Sequence, residues 1–168
     1  ESRGLKGMSC DICLKGKMAE NGELQTFHVD IPMPGRHMVS NALAAAAVGR
    51  LYGLNAEQIK NGIESLEPVS GRFNMIETDK FLIVDDCYNA NPASMKSSLD
   101  VLAFADTRTV AILGDMGELG ADEKKMHAEV GSYAVKKGIS LLICIGTLSA
   151  EMANAARTAS EASSTSLF

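Results

Sequence analysis

Phe81-Leu82-Ile83-Val84-Asp85-Asp86-Cys87-Tyr88-Asn89-Ala90-Asn91-Pro92-Ala93-Ser94-Met95 runs from an apolar strand through a polar loop into a helix. Asn91 reads as an N-cap, and Pro92 as the first helical residue, where its missing N–H costs nothing. Met95, Leu99 and Leu102 follow at helical spacing and are predicted to face inward. The same rhythm returns twice. Residues 109–113 and 141–145 are apolar strand candidates. A helix over 122–137, burying Met126, Val130 and Tyr133 and stopped by Gly138, separates them, and a further helix runs through Met152. Strands alternating with amphipathic helices predict an α/β fold whose three strands form a mainly parallel sheet. The Ser-rich residues 160–168 are expected to fray.

Upstream the pattern differs. Phe27, Val29 and Ile31 alternate with Thr26, His28 and Asp30, the period of a half-buried strand, and Asn21-Gly22 before it suggests a hairpin. A helix is predicted over 38–52, with the small apolar stretch 42–48 as a smooth packing surface and Gly53 as its stop. Asn55 and Gln58 form a capping box for a second helix, with Ile59, Ile63 and Leu66 on one face. Glu67-Pro68-Val69-Ser70-Gly71 breaks both patterns and marks a domain boundary, dividing the chain into residues 1–67 and 68–168.

Composition narrows the function classes. The 168 residues are 46% hydrophobic, enough to fill a core, and carry a net charge of −5. That acidic balance argues against nucleic acid as the main partner. No apolar run approaches the roughly 20 residues of a membrane-spanning helix, so no membrane partner is expected. The start, Glu1-Ser2-Arg3-Gly4, has neither a signal-peptide core nor an initiator Met, as in a chain cut from a longer protein. Cys87 and Cys144 fall beside apolar strands, and Cys10 and Cys13 form a lone C-x-x-C, read as strand or turn rather than a metal or redox pair. A reducing cytoplasm fits this cysteine usage.

Ligands of open α/β sheets sit beyond the carboxyl ends of the strands. Three loops occupy that edge: residues 85–92, residues 114–120, and Gly146-Thr147. The first offers two carboxylates and two amides before a helix N-terminus. Neighbouring strand residues point opposite ways, so only one of Asp85 and Asp86 is expected to be satisfied by local packing. Asn91 also reads as a helix cap alone, and Asp115 fits an Asx turn as well as a ligand contact. Gly16-Lys17 is followed by Met18, so no G-x-x-x-x-G-K-[ST] is present, and Gly114, Gly117 and Gly120 do not match G-x-G-x-x-G. His28 and His127 read as surface histidines.

Four motifs in order resemble the Mur ligase family, over about residues 20–155. Gly35-Arg36-His37-Met38-Val39-Ser40-Asn41-Ala42-Leu43-Ala44-Ala45 is similar to its G-x-H-x-x-x-N-x-L-A-A helix, and Gly71-Arg72 to its G-R element. Residues 85–95 resemble a D-D-x-Y-N-A-N-P-x-S-M run, and Leu113-Gly114-Asp115-Met116 with Glu118-Leu119-Gly120 and His127 an L-G-D-M-x-E-L-G…H segment. The resemblance implies a cytoplasmic, ATP- and Mg2+-dependent ligase, acting as a monomer in peptidoglycan synthesis. Such an enzyme joins D-alanyl-D-alanine to UDP-N-acetylmuramoyl-tripeptide through an acyl phosphate. Residues 1–67 would be the tail of a central ATPase domain, and 68–168 part of a C-terminal Rossmann-like domain. By the same resemblance, Asn41, Arg72 and Asp86 bind the nucleotide, while Tyr88, Asn89, Asn91 and Asp115 serve substrate. The family's P-loop, magnesium ligands and carbamylated lysine would lie upstream of Glu1, leaving no catalytic and no metal-binding residue here. Two alternatives are a non-catalytic nucleotide- or peptide-binding module and a sibling ligase, including the folylpolyglutamate type.

Overall fold

The computed structural model describes residues 1–19 and 22–165. The chain forms two compact units, Glu1–Val69 and Ser70–Phe168.

In the first unit, β1 (Met8–Leu14) and β2 (Gln25–Ile31) pair antiparallel from Met8↔Ile31 to Leu14↔Gln25. Met8, Ile12, Leu14, Val29 and Ile31 are buried, as strand alternation requires. The two strands do form a hairpin. Their connection spans residues 15–24 and includes a short 3-10 turn, Gly16–Met18; Asn21 of the expected Asn-Gly turn lies outside the described residues. Cys10 and Cys13, three apart on β1, fall on opposite faces of the strand and are free thiols. Two helices cover the hairpin: α1 (Arg36–Leu51) through Met38, Ala42 and Ala46, and α2 (Ala56–Glu64) through Ile59 and Ile63. Gly49 lets them approach, since a Cβ there would press on Ile59. The predicted capping box is present, with Asn55 Oδ1 accepting the Gln58 amide at 2.9 Å. Two expectations change. Leu66 lies beyond the end of α2 and is exposed, and only one side of the stretch 42–48 is buried, leaving Leu43 and Val48 exposed.

In the second unit, β3 (Asn74–Glu77) and β4 (Leu82–Asp85) pair antiparallel, while β5 (Val110–Gly114) and β6 (Leu141–Ile145) pair in parallel. The three-stranded parallel sheet expected from the strand rhythm is therefore a parallel pair plus a hairpin: β4 pairs with β3, which carries no clear alternation of its own. Around the parallel pair stand α3 (Pro92–Leu102), α4 (Glu123–Lys136) and α5 (Ser149–Thr165). Met95 and Leu99 of α3, Ala111 of β5, Val130 and Ala134 of α4 and Met152 of α5 form one core with Met116. Gly131 makes the α4–α5 contact possible, because a Cβ there would overlap the Met152 carbonyl. Residues 160–165, expected to fray, continue α5. Within it Ser163 Oγ donates to the Ala159 carbonyl one turn back.

Among the described residues no helix is long and apolar enough to cross a membrane.

Candidate functional site

The loop after β4 is tied to the segment that precedes β3. Asp85 Oδ2 accepts the Gly71 amide at 3.1 Å, Asp86 Oδ1 accepts the Phe73 amide at 3.1 Å, and the Tyr88 amide donates to the Gly71 carbonyl at 3.0 Å. Both carboxylates are thus locally satisfied, against the expectation that only one would be. The cause is that β4 ends at Asp85, so strand alternation no longer governs Asp86. The two aspartates grip the residues on either side of Arg72. Gly71 has φ +75°, which glycine adopts freely, but Phe73 has φ +53°, an uncommon conformation for a bulky residue. Burial of its side chain and the bond from Asp86 hold it there. Arg72 remains exposed, with its guanidinium 4.2 Å from the centroid of the Tyr88 ring.

Asp86 Oδ2 also accepts Ser98 Oγ at 2.5 Å. A carboxylate has about four acceptor positions, so two remain open to a ligand. Asp85 is held below the usual carboxylate range, chiefly by the Cys87 thiol, with the Gly71 amide adding to the effect against burial. The same bond raises the Cys87 thiol. Asn91 caps α3: its Oδ1 accepts the Ser94 amide at 2.9 Å, and Ser94 Oγ accepts the Asn91 amide at 3.1 Å. Asn89 Oδ1 accepts the Ala90 amide at 2.8 Å.

Asp115, after β5, works as a strut between two strand-end loops. Its carboxylate accepts Ser149 Oγ and the Ser149 amide, both at 2.6 Å, and the Thr147 amide at 2.9 Å. These bonds, Ser149 Oγ first, keep Asp115 below the ordinary range although burial opposes ionisation. The next residue, Met116, is buried, and its amide donates to His127 Nε2 at 2.9 Å. His127 Nδ1 lies 2.6 Å from the Glu123 carbonyl, so the ring is the neutral Nδ1–H tautomer. His127 is fully buried, which corrects its reading as a surface histidine. Its partner on the helix is the Glu123 backbone carbonyl. His28 is exposed as expected, 2.8 Å from Asp11.

Residues 71–167 match the family described as Mur ligase, glutamate ligase domain, more than half of the chain. The chain belongs to the Mur ligase family. Among curated Mur ligases, the UDP-N-acetylmuramoyl-tripeptide–D-alanyl-D-alanine ligase of Escherichia coli K12 is 41% identical over 124 residues, 72% of this chain and 27% of the relative. Its counterpart in Mycobacterium tuberculosis H37Rv is 40% identical over 121 residues, 67% of this chain and 24% of the relative. Among solved structures, MurF from Acinetobacter baumannii superposes with a TM-score of 0.74 at 29% identity, covering 85% of this chain and 32% of that one. MurF ligase from Thermotoga maritima in complex with ADP gives 0.67 at 28% identity, covering 76% and 30%. The chain spans from 24% to 32% of the length of these four relatives.

Against that family frame, the structure gathers Arg72, Asp86, Tyr88, Asn89 and Asn91 around the end of β4 in the second unit. Asp115 belongs to the β5 loop, with its carboxylate engaged by protein groups. Asn41 lies in the first unit, exposed on α1, its amide 3.5 Å from Met38 Sδ. Sequence reasoning missed Phe73, Ser98 and the burial of His127. Ser98 carried a signal: it follows the Asn91 cap by two helical turns, on the side of α3 facing the loop. Among the described residues no three His, Cys, Asp or Glu side chains cluster as the ligands of one metal ion would.

Proposed function

We propose that the chain is part of an ATP-dependent peptide ligase that joins D-alanyl-D-alanine to UDP-N-acetylmuramoyl-tripeptide. The activity of the curated relatives supports this reading. In this reading residues 1–67 belong to the central ATPase domain and 68–168 to the C-terminal Rossmann-like domain. The γ-phosphate of ATP moves to the tripeptide carboxylate, and the dipeptide amine attacks the resulting acyl phosphate and expels phosphate. Any Mg2+ that assists the transfer would be held mostly by residues outside this chain. Action in the cytoplasm, as a monomer, belongs to the same proposal.

The observation that carries the nucleotide part is the anchored Arg72. Asp85 and Asp86 fix the amides on both sides of it, and the Tyr88 ring supports its guanidinium. A planar guanidinium pre-aimed in this way suits phosphate oxygens. The open acceptor positions of Asp86 suit ribose hydroxyls, Asn41 is assigned to adenine, and Tyr88, Asn89 and Asn91 to the substrates. Asp115 then serves substrate indirectly, by fixing the loop it starts. Calorimetric titration of ADP into the wild-type chain and into Arg72→Ala tests the reading. Loss of a charge-assisted pair should weaken binding about tenfold or more. Equal affinities would overturn the assignment of Arg72.

A further inference from the structure

The loop that Asp115 opens contains the second residue of the described chain, besides Phe73, to hold a positive φ without being glycine: Glu118, at +61°. Side chains other than those of Asn and Asp rarely adopt this conformation, and it persists only where the surroundings over-determine it. Here they do. On one side Asp115 is bonded to Thr147 and Ser149, and the buried Met116 is pinned by its amide to His127. On the other, Gly120 at φ +67° leads into the 3-10 turn Gly120–Asp122 and then α4. Between these anchors Glu118 is exposed. Asp85, Asp86 and Asp115 all accept hydrogen bonds from protein groups, whereas the Glu118 carboxylate has no such bond among the described residues. The fold thus presents a strained, unengaged carboxylate at the carboxyl edge of β5.

We propose that Glu118 is a ligand-contacting residue whose carboxylate receives the primary ammonium group of the incoming dipeptide, with His127 and Asp115 as the positioning residues that fix it. The proposal rests on the ligase reading above. Of the groups that reading brings to the site, phosphates and carboxylates are repelled by a carboxylate. An amino terminus is attracted, being largely protonated near neutral pH, with an ordinary pKa of about 7.7–8.0. Pinning by His127 matters because an acceptor at Nε2 fixes the Met116 amide, and through it the two residues leading to Glu118.

The test is NMR titration of the full 168-residue chain with three probes: D-alanyl-D-alanine, its N-acetyl derivative, and ADP. The dipeptide should shift the amides of residues 116–119, and the N-acetyl compound should not. Glu118→Gln should weaken the dipeptide about tenfold, the loss of one charge-assisted contact. Glu118→Gly should weaken it as much while leaving the melting temperature unchanged or higher, because glycine relieves the strained φ. A purely structural Glu118 would not separate affinity from stability in this way. His127→Leu should weaken dipeptide binding, and His127→Gln, which keeps an acceptor for the Met116 amide, should restore most of it. Equal binding of the N-acetyl compound, or wild-type affinity in both Glu118 variants, would overturn the proposal. If ADP shifts residues 71–73 and 85–91 while the dipeptide is silent, Glu118 fails and the ligase reading stands. If both probes are silent, both fail.

Discussion

The Arg72 guanidinium lies 4.2 Å from the centroid of the Tyr88 ring, in a stack between the G-R element and the loop that follows β4. An exposed cation–π contact of this kind is worth about 0.5–1 kcal/mol. Tyr88→Ala should therefore weaken ADP binding roughly two- to fivefold, because Arg72 must be ordered on binding. Tyr88→Phe keeps the ring face and should bind as the wild type does. Calorimetry on the two variants checks this, and a Phe variant as weak as the Ala variant would assign the role to the phenol hydroxyl.

Asp85 and Asp86 should separate by readout. Asp85→Ala frees the Gly71 amide and should act chiefly on thermal stability, with the smaller of the two effects on ADP, through Arg72. Asp86→Ala should do both, since Asp86 also restrains Phe73 in its strained conformation and keeps two acceptor positions open. The expected binding loss is about tenfold to a hundredfold, as for Arg72→Ala. Paired melting and calorimetry decide. Normal ADP affinity in Asp86→Ala beside a defect in Asp85→Ala would reverse the assignment.

The parts of this structure that the sequence makes legible depend on local signals. Asn55 and Asn91 cap helices with partners three residues away, Gly53 and Gly138 end them at positive φ, and β2 alternates cleanly. The illegible parts are non-local. Phe73 and Asp86 are thirteen residues apart, and nothing near either announces the bond between them. Strand β3 is four residues long, with no alternation to mark it, so the pairing of β4 was hidden with it. His127 was misplaced because a polar residue on an amphipathic helix reads as exposed. The buried face of α4 in fact centres on His127, Val130, Gly131 and Ala134, one position round from the stripe through Met126 and Tyr133.

Gly131 is predicted to be intolerant of any side chain. Its Cα faces the Met152 carbonyl so closely that Gly131→Ala must push α4 and α5 apart. Overpacking of this kind costs about 1–3 kcal/mol. For a unit of this size each kcal/mol is about 4–8 °C in Tm. Gly138→Ala, at the open end of α4, is the control for backbone strain alone, since nothing lies near its missing Cβ. Equal stability of Gly131→Ala and the wild type in thermal melting would show that the helices do not cross as closely as this.

Acid should loosen the contact between the β5 and β6 loops. Asp115 has its pKa lowered in the fold by Ser149 and Thr147, so the folded state binds its proton less readily than the unfolded chain. Its stabilising contribution is therefore complete above the unfolded value, about pH 4. It is lost as pH falls through the lowered folded value. Asp115→Asn should be less stable than the wild type near neutrality, and the gap should close below pH 4. A gap that is constant down to strongly acidic pH would mean that the carboxylate charge contributes nothing.

The last prediction concerns the chain by itself. Phosphoryl transfer needs a positioned phosphate cradle and a metal. The sequence has no G-x-x-x-x-G-K-[ST], and among the described residues no side chains cluster as metal ligands would. What the second unit offers instead is an arginine stacked on the Tyr88 ring and two aspartates bonded to the backbone amides on either side of it. The 168-residue chain should accordingly bind ADP without hydrolysing ATP or forming an amide bond. Phosphate release with ATP and Mg2+, measured against a blank without protein, checks the first part, and mass spectrometry of a mixture with both peptide substrates checks the second. Turnover that chelation of Mg2+ abolishes and that Arg72→Ala also lowers would place the phosphate cradle inside this chain. Turnover indifferent to Arg72→Ala would trace to a contaminating ATPase and leave the prediction standing, and affinity for ADP in the same preparation shows that the protein assayed is folded.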